Sequence, residues 1–329
     1  MKICFVTDGG RQLGMGHVQQ STALGKALRG KAKVSFLTKS DDTVVTAIEA
    51  HGFAVTRLRD DAEILDHLKD LDPDIVVFDK IDVAEDLARA IKQTLKASLV
   101  IFTNLTGANK HADIAVTAGV GSQLKNVTYT DKATNTRYYF GPKYWVLRPE
   151  FYEYKSKGKI FSREPEQILL LFGGSDPSNL TSAVLEELLG MNRKFRIEVI
   201  LGAQFHHDGF LNQVLEQYPG KRASVAVHRN IKNVAELMYR ADLTIASPGL
   251  TVFETLCVGT PVIIVPHNDF QRDAFQGLVR MLERDEIGKL GSVIEGAEFT
   301  YPRESHITAM EIGEGVQELL EAILSSVKS

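Results

Sequence analysis

Along most of the chain, short runs of apolar, β-favouring residues alternate with longer stretches in which apolar positions recur every three or four residues. The short runs predict strands, and because they are apolar at successive positions they predict strands buried on both faces. In the first half they fall at 2–8, 33–39, 54–58, 74–79, 98–104 and 114–119, with helical periodicity at 19–28, 42–51 and 83–94. In the second half strands are expected at 167–174, 196–202, 224–228, 243–247 and 261–266. Helices are expected there at 180–189, about 209–217, 234–241 and 251–258, with further helices closing the chain. Doubly buried strands separated by helices imply parallel sheets with right-handed crossovers. The fold class is therefore α/β, with two doubly wound halves.

Between 128 and 164 the periodicity dissolves into a stretch rich in aromatic residues and lysine, "RYYFGPKYWVLRPEFYEYKSKGK". Its tyrosines and Trp145 suggest an ordered connection, so the domains are placed at 1–150 and 151–329. Doubly wound sheets bind ligands at the carboxyl ends of their strands, and two such sheets facing each other would form a cleft.

Composition narrows the class of partner. A length of 329 residues suits two domains, and 44% hydrophobic with 24% charged residues is ordinary for a globular protein. A net charge of -4 offers no basic field to hold a nucleic-acid backbone, so nucleic acid is not an expected partner. The two cysteines, Cys4 and Cys257, each lie in an apolar segment and read as small buried hydrophobes, consistent with a reducing compartment. No run approaches the ~18 apolar residues of a membrane span and the N-terminus lacks a signal-peptide core, which points to the cytoplasm.

Three strand-to-helix turns could carry chemistry. In "LGMGH", Gly14 and Gly16 allow close backbone approach or positive φ, and His17 falls at the start of a helix. The dinucleotide fingerprint would need glycine where Gln19 stands, so His17 reads either as a general base or as a residue lining the turn. In "LLLFGGSDPSNLT", Gly173, Gly174 and Ser175 could seat a phosphate at a helix N-terminus, or Ser175 or Asp176 could simply cap that helix. In "SPGLTVFETLCVGTPVIIVPHNDFQRD", Ser247, Gly249, Leu250 and Thr251 open a helix that could hold a diphosphate. Glu254, one turn in, suits the hydroxyl pair of a ribose or else complements the helix dipole. The next strand ends in a polar cluster, His267, Asn268, Asp269, Gln271 and Arg272, and in the first half the polar strand ends are Asp79 and Asn104. Neither HExxH nor CxxC is present, "DLDPD" sits at a strand's amino end, and adjacent His206 and His207 suit one metal poorly. No metal or other cofactor is expected.

Taken in order, the GxGH turn, "YFGPKYWVLRPEF", "LLLFGGSDPSNLT" and "ADLTIASPGLTVFETLCVGTPVIIV" resemble the nucleotide-sugar hydrolases of pseudaminic acid biosynthesis and the related spore-coat polysaccharide proteins. More distantly they resemble the N-acetylglucosaminyltransferase that makes the peptidoglycan lipid precursor. The resemblance implies the GT-B fold, two Rossmann-like domains with a UDP-sugar held mainly by the second. It implies that the backbone near Ile231 faces uracil, that Glu254 holds the ribose, and that the turns at Gly174–Ser175 and Gly249–Thr251 hold the diphosphate. Gly14, Gly16, Asp79, Asn104, Asn268, Asp269 and Gln271 are further candidates for binding the substrate, and the resemblance implies that His17 is the general base. The chain departs from those hydrolases where they carry Asp-His-Tyr, since Asp79 is followed by Lys80 and Ile81, and "PHNDFQRD" sits closer to the transferase pattern. The expected activity is hydrolysis of a nucleotide sugar, with inverting glycosyl transfer as the alternative and a non-catalytic sugar-nucleotide-binding protein as a third reading.

Overall fold

The apolar runs form the strands, and the amphipathic stretches between them form helices that cover the sheet faces. The computed structural model describes all residues except 11, 12, 119–124, 161, 163, 222, 223, 230, 232, 297, 298, 300–306, 309, 328 and 329. Gly119, expected at the end of the sixth strand, lies outside the described residues.

The first sheet contains β1 (Lys2–Thr7), β2 (Lys33–Thr38), β3 (Ala54–Arg57), β4 (Ile75–Asp79), β5 (Ser98–Phe102), β6 (Ile114–Thr117), β7 (Val127–Thr130) and β8 (Arg137–Phe140). Their spatial order is β3-β2-β1-β4-β5-β6-β8-β7. All neighbours are parallel except β7 and β8. Helices α1 (Gly16–Leu28), α2 (Asp42–Glu49), α3 (Ile64–Leu71) and α4 (Glu85–Thr94) link the strands. In β4, Ile75, Val76, Val77 and Phe78 are fully buried, each stabilising the fold by roughly 1.5–3 kcal/mol relative to exposure. The Cys4 thiol, inside β1, is pushed up to about 12 by burial, against a smaller opposing hydrogen bond involving Ser35. It behaves as a hydrophobe.

The stretch expected to be an ordered connection begins as sheet. β7 and β8 form an antiparallel hairpin whose turn is held by Asp131, which accepts from the Ala133 amide at 2.7 Å. Tyr129, Tyr138 and Phe140 stack along it, with ring centroids 5.1 to 5.9 Å apart. Strands this short, with mixed polar and aromatic positions, lack the long apolar run that marks a buried strand, and cross-strand aromatic pairs supply the stability instead.

The second sheet contains β9 (Gln167–Leu171), β10 (Arg196–Leu201), β11 (Val225–Arg229), β12 (Leu243–Ala246), β13 (Val262–Ile264) and β14 (Arg280–Met281), in the order β11-β10-β9-β12-β13-β14. Its helices are α5 (Pro149–Lys155), α6 (Leu180–Gly190), α7 (Asp208–Gln217), α8 (Val234–Arg240), α9 (Leu250–Cys257), α10 (Asp269–Phe275) and α11 (Leu290–Glu295). In each sheet the strand order reverses direction beside the first strand, at β1/β4 and at β9/β12, which is where such sheets bind ligands.

Two compact units result, Met1–Arg148 together with Met310–Ser329, and Pro149–Ala309. The closing segment, placed above in the second domain, instead completes the first unit. Its helix α12 (Val316–Ser325) follows Met310, whose carbonyl accepts from Asn126 at 3.2 Å, and Glu318 pairs with Lys143 at 3.6 Å. Among the described residues no helix is long and apolar enough to cross a membrane.

At the carboxyl end of β10, Gly202 has no room for a side chain. A Cβ there would lie 2.3 Å from the Gly174 carbonyl oxygen and 2.4 Å from that of Gly173. Backbone has little freedom to move aside, so Gly202→Ala is expected to destabilise the second unit by about 1–3 kcal/mol and to distort the Gly173–Gly174 turn. Thermal unfolding would reveal a lowered Tm; a variant as stable as wild type would contradict this packing.

Candidate active site

β4 ends on Asp79, a carboxylate 2% exposed, and the strand itself offers it no counter-charge. Its donors come from one face of α1, where positions 17, 20 and 21 fall together at helical spacing. His17 Nδ1–H donates to Oδ1 at 2.7 Å, Gln20 Nε2 to Oδ2 at 3.1 Å and Ser21 Oγ to Oδ2 at 3.0 Å. With Asp79 as acceptor the neutral imidazole carries its proton on Nδ1. Its Nε2 is left with a lone pair, the form a general base requires.

Two effects oppose each other at His17. Burial pulls the imidazole below its ordinary range, while the Asp79 carboxylate, by charge and hydrogen bond, with Asp8 and Asp82 adding to it, pushes it up. The carboxylates win, and His17 titrates above the usual histidine value. Such an imidazole is a stronger base but is more often protonated at neutral pH.

The glycines shape the turn that delivers this helix. Gly10 and Gly14 exchange backbone hydrogen bonds at 2.9 and 2.8 Å, with φ of +126° and +73°. Gly16 is not at positive φ; it is the first residue of α1, whose N-terminus has no side-chain cap.

A second ionic layer lies on the same sheet edge. The Lys80 ammonium, 5% exposed, sits 2.8 Å from Asp8 and 2.7 Å from Asp61, with Asp82 at 4.0 Å. Lys39 joins it, 2.8 Å from Asp61. Asp8 also accepts from the Lys39 amide at 2.9 Å and from Thr38 Oγ1 at 3.1 Å. Sequence reasoning singled out neither Asp8 nor Asp61. The available signal was a lysine placed directly after a doubly buried strand, where it must find a carboxylate.

Asn104 does something different from what was expected. Its Oδ1 accepts from the Val83 amide at 3.0 Å and its Nδ2 donates to Thr106 Oγ1 and Asn109 Oδ1, each at 3.0 Å. It braces the loop after β5. Thr103 just before it has φ of +58°, a strained value for a β-branched residue.

In the second unit the two phosphate-seat candidates diverge. Asp176, 2% exposed, accepts from the Leu180 amide at 2.8 Å and the Thr181 amide at 2.9 Å. That carboxylate closes the N-terminus of α6, leaving Gly173 and Gly174 as the exposed part of the turn, with Ser175 buried beside them. The N-terminus of α9 has no side-chain cap, and a Cβ at its Gly249 would meet nothing within 4 Å. Open space and free first-turn donors at Leu250 and Thr251 make this the better anion seat. Glu254 is buried one turn further along α9, and Ser247 is buried at the end of β12. Ile231 is half-buried after β11, with Asn230 and Lys232 on either side outside the described residues.

Most of the polar cluster after β13 is occupied within the protein. Asn268 caps α10 by accepting from the Gln271 amide at 2.9 Å. Gln271 accepts from the His267 amide at 2.8 Å and donates to the Pro248 carbonyl at 3.1 Å, tying this loop to the Gly249 turn. Asp269 is exposed and pairs with Arg272 at 2.6 Å. His267 donates through Nε2 to the Phe172 carbonyl at 3.2 Å, and burial, aided by Arg284, lowers its pKa against opposing effects of that bond and of Asp176. Beside it opens a cavity of about 480 Å³ whose walls include Ser178, Leu180, Asn268 and Arg284.

Residues 168–276 match the Glycosyltransferase family 28 C-terminal domain. The chain is 41% identical over 328 residues to the uncharacterized protein MJ1062 of Methanocaldococcus jannaschii. That match covers 98% of this chain and 66% of the other, so the chain spans just under two thirds of that relative's length. It is 26% identical over 279 residues to the spore coat polysaccharide biosynthesis protein SpsG of Bacillus subtilis, covering 82% of this chain and 79% of that one. Among solved structures, MurG of Acinetobacter baumannii aligns with a TM-score of 0.63 at 14% identity, covering 99% of this chain and 100% of MurG. Alr3699/HepE of Anabaena, in complex with UDP-glucose, aligns with a TM-score of 0.53 at 14% identity, covering 99% of this chain and 98% of that one. The fold is GT-B.

Replacing Asp79 tests the electrostatics of the pair directly. In Asp79→Asn the burial penalty on His17 remains while its main counter-charge is lost, so the imidazole is expected to titrate below its wild-type midpoint, as read by NMR. The stability that the pair contributes is present in full below the unfolded histidine pKa of about 6.5 and is lost as pH rises through the higher folded value. The stability gap between wild type and variant should therefore be widest in acid and narrow above neutrality. A gap that widens with pH would refute the assignment.

Proposed function

We propose that the protein is a nucleotide-sugar hydrolase that releases UDP from a UDP-linked sugar, with His17 as general base. The observation that carries the reading is the His17–Asp79 hydrogen bond of 2.7 Å at the carboxyl edge of the first sheet, which fixes the tautomer a base needs. A water oxygen attacks the anomeric carbon and its proton passes to His17 Nε2. The bond from that carbon to the diphosphate oxygen breaks, and its electron pair leaves with UDP. Asp79 stabilises the imidazolium until the proton passes to solvent.

The second unit carries the nucleotide in this reading. First-turn amides at Leu250 and Thr251 meet the diphosphate charge without a metal, Glu254 takes the ribose hydroxyls, and the backbone near Ile231 meets the base. Support for a UDP-sugar comes from the likeness to SpsG, named for polysaccharide biosynthesis, and from the fold shared with HepE, which binds UDP-glucose. A second reading, glycosyl transfer with a sugar hydroxyl in place of water, is favoured by the match of residues 168–276 to a glycosyltransferase domain.

UDP release from a panel of UDP-sugars, with and without acceptor sugars, separates the two. Release without acceptor, unchanged by EDTA, is the expected outcome; release only with acceptor assigns transfer instead. His17→Ala should lower kcat by about 10²–10⁴-fold while UDP still raises the Tm, and full activity in that variant would remove His17 from the chemistry.

A further inference from the structure

Lys80 lies one residue beyond Asp79, yet its ammonium turns to another carboxylate. β1 and β4 are neighbours, with Thr7 opposite Asp79 in the register, so the next position on each strand brings Asp8 and Lys80 together. The side chains meet at 2.8 Å, both 5% exposed, and Asp61 holds the other side of the ammonium at 2.7 Å. Asp8 starts the turn that leads through Gly14 to His17 and takes hydrogen bonds from Thr38 and Lys39.

The charged groups on this edge come from several elements. They are Asp8 at the end of β1, Lys39 after β2, Asp61 before α3, and Asp79, Lys80 and Asp82 at the end of β4. Four carboxylates stand against two ammonium groups. With His17 neutral the cluster is negative, and each unpaired carboxylate makes the imidazole harder to deprotonate. Lys80 is the buried cation in this set, and it is spent on Asp8 and Asp61.

We propose that Lys80 is a positioning residue for His17 acting through Asp8: by pairing with Asp8 it offsets part of that carboxylate's pull on the imidazole, leaving Asp79 as the main group that governs when His17 gives up its proton. A base held by two unpaired buried carboxylates would be protonated and idle at neutral pH. Pairing one of them keeps the orienting bond from Asp79 while letting His17 deprotonate at a lower pH than two unpaired carboxylates would allow. The inference rests on the reading of His17 as the base, and its test separates the two.

The experiment is an NMR titration of the His17 imidazole in the full chain, alongside the pH dependence of kcat/KM for UDP release. Lys80→Met leaves Asp8 with only the more distant Lys39 ammonium, at 4.0 Å, and is expected to raise the His17 midpoint by on the order of one pH unit. Asp8→Asn removes the carboxylate and frees the cation, so the midpoint should fall. The double variant should lie between the two. A residue that merely supports the fold would not produce shifts of opposite sign. If Lys80→Met does not fold, Asp8→Asn decides alone, and a midpoint that stays or rises there overturns the proposal, as does an unmoved midpoint in Lys80→Met. If the midpoints move as expected but the acid limb of kcat/KM does not follow them, the charge coupling stands and His17 is not the base.

Discussion

A carboxylate buried at the end of a doubly covered strand must be met by donors from a neighbouring element, and at Asp79 all three side-chain donors come from α1. That requirement fixes which face of α1 turns inward and how the preceding turn must run. Gly9 cannot carry a side chain, since a Cβ would lie 2.8 Å from Val18 Cγ2, and Gly14 must adopt a positive φ. The conformation of the turn, the orientation of the helix and the tautomer of His17 are consequences of satisfying one anion. The tautomer of His17 and the stability of the fold depend on the same hydrogen bonds.

The second unit repeats the topology but settles its charges differently. At the end of β9 the chain supplies its own anion, Asp176, to the helix it opens; at the end of β12 it supplies glycine and leaves the helix open. Two turns that look alike in composition thus have opposite electrostatics. The Gln271 bridge to Pro248 supports the open one, while the His267 imidazole donates to the Phe172 carbonyl beside the closed one.

Much of this was legible in the residues. Strands buried on both faces leave unbroken apolar runs, so both sheets and most of their helices could be placed, and the glycine-histidine turn marked the start of α1. The β7–β8 hairpin escaped because four-residue strands such as "VTYT" have no long-range pattern of their own. The role of Asp176 could not be decided from sequence, since a carboxylate near a helix start reads equally as cap or as neighbour to a ligand. Asn104 looked like a polar strand end facing a ligand, but a side-chain amide serves a loop backbone just as well, and only the positions of Val83 and Asn109 distinguish the two. The Asp8–Lys80 pair is a matter of register between strands 72 residues apart in numbering from Thr7 to Asp79, which no local pattern reports.

The return of the chain to the first unit after residue 309 bears on how the protein is made. Ser98, at the start of a central strand, donates to the Ser326 carbonyl, so the last helix docks against one of the earlier strands to be synthesised. During translation the first unit leaves the ribosome lacking that helix and must wait, its docking site uncovered, while the whole second unit is produced. The second unit is continuous in sequence and carries its own core, so it has no such dependence. Completion of the unit that holds His17 thereby waits until the second unit has been made.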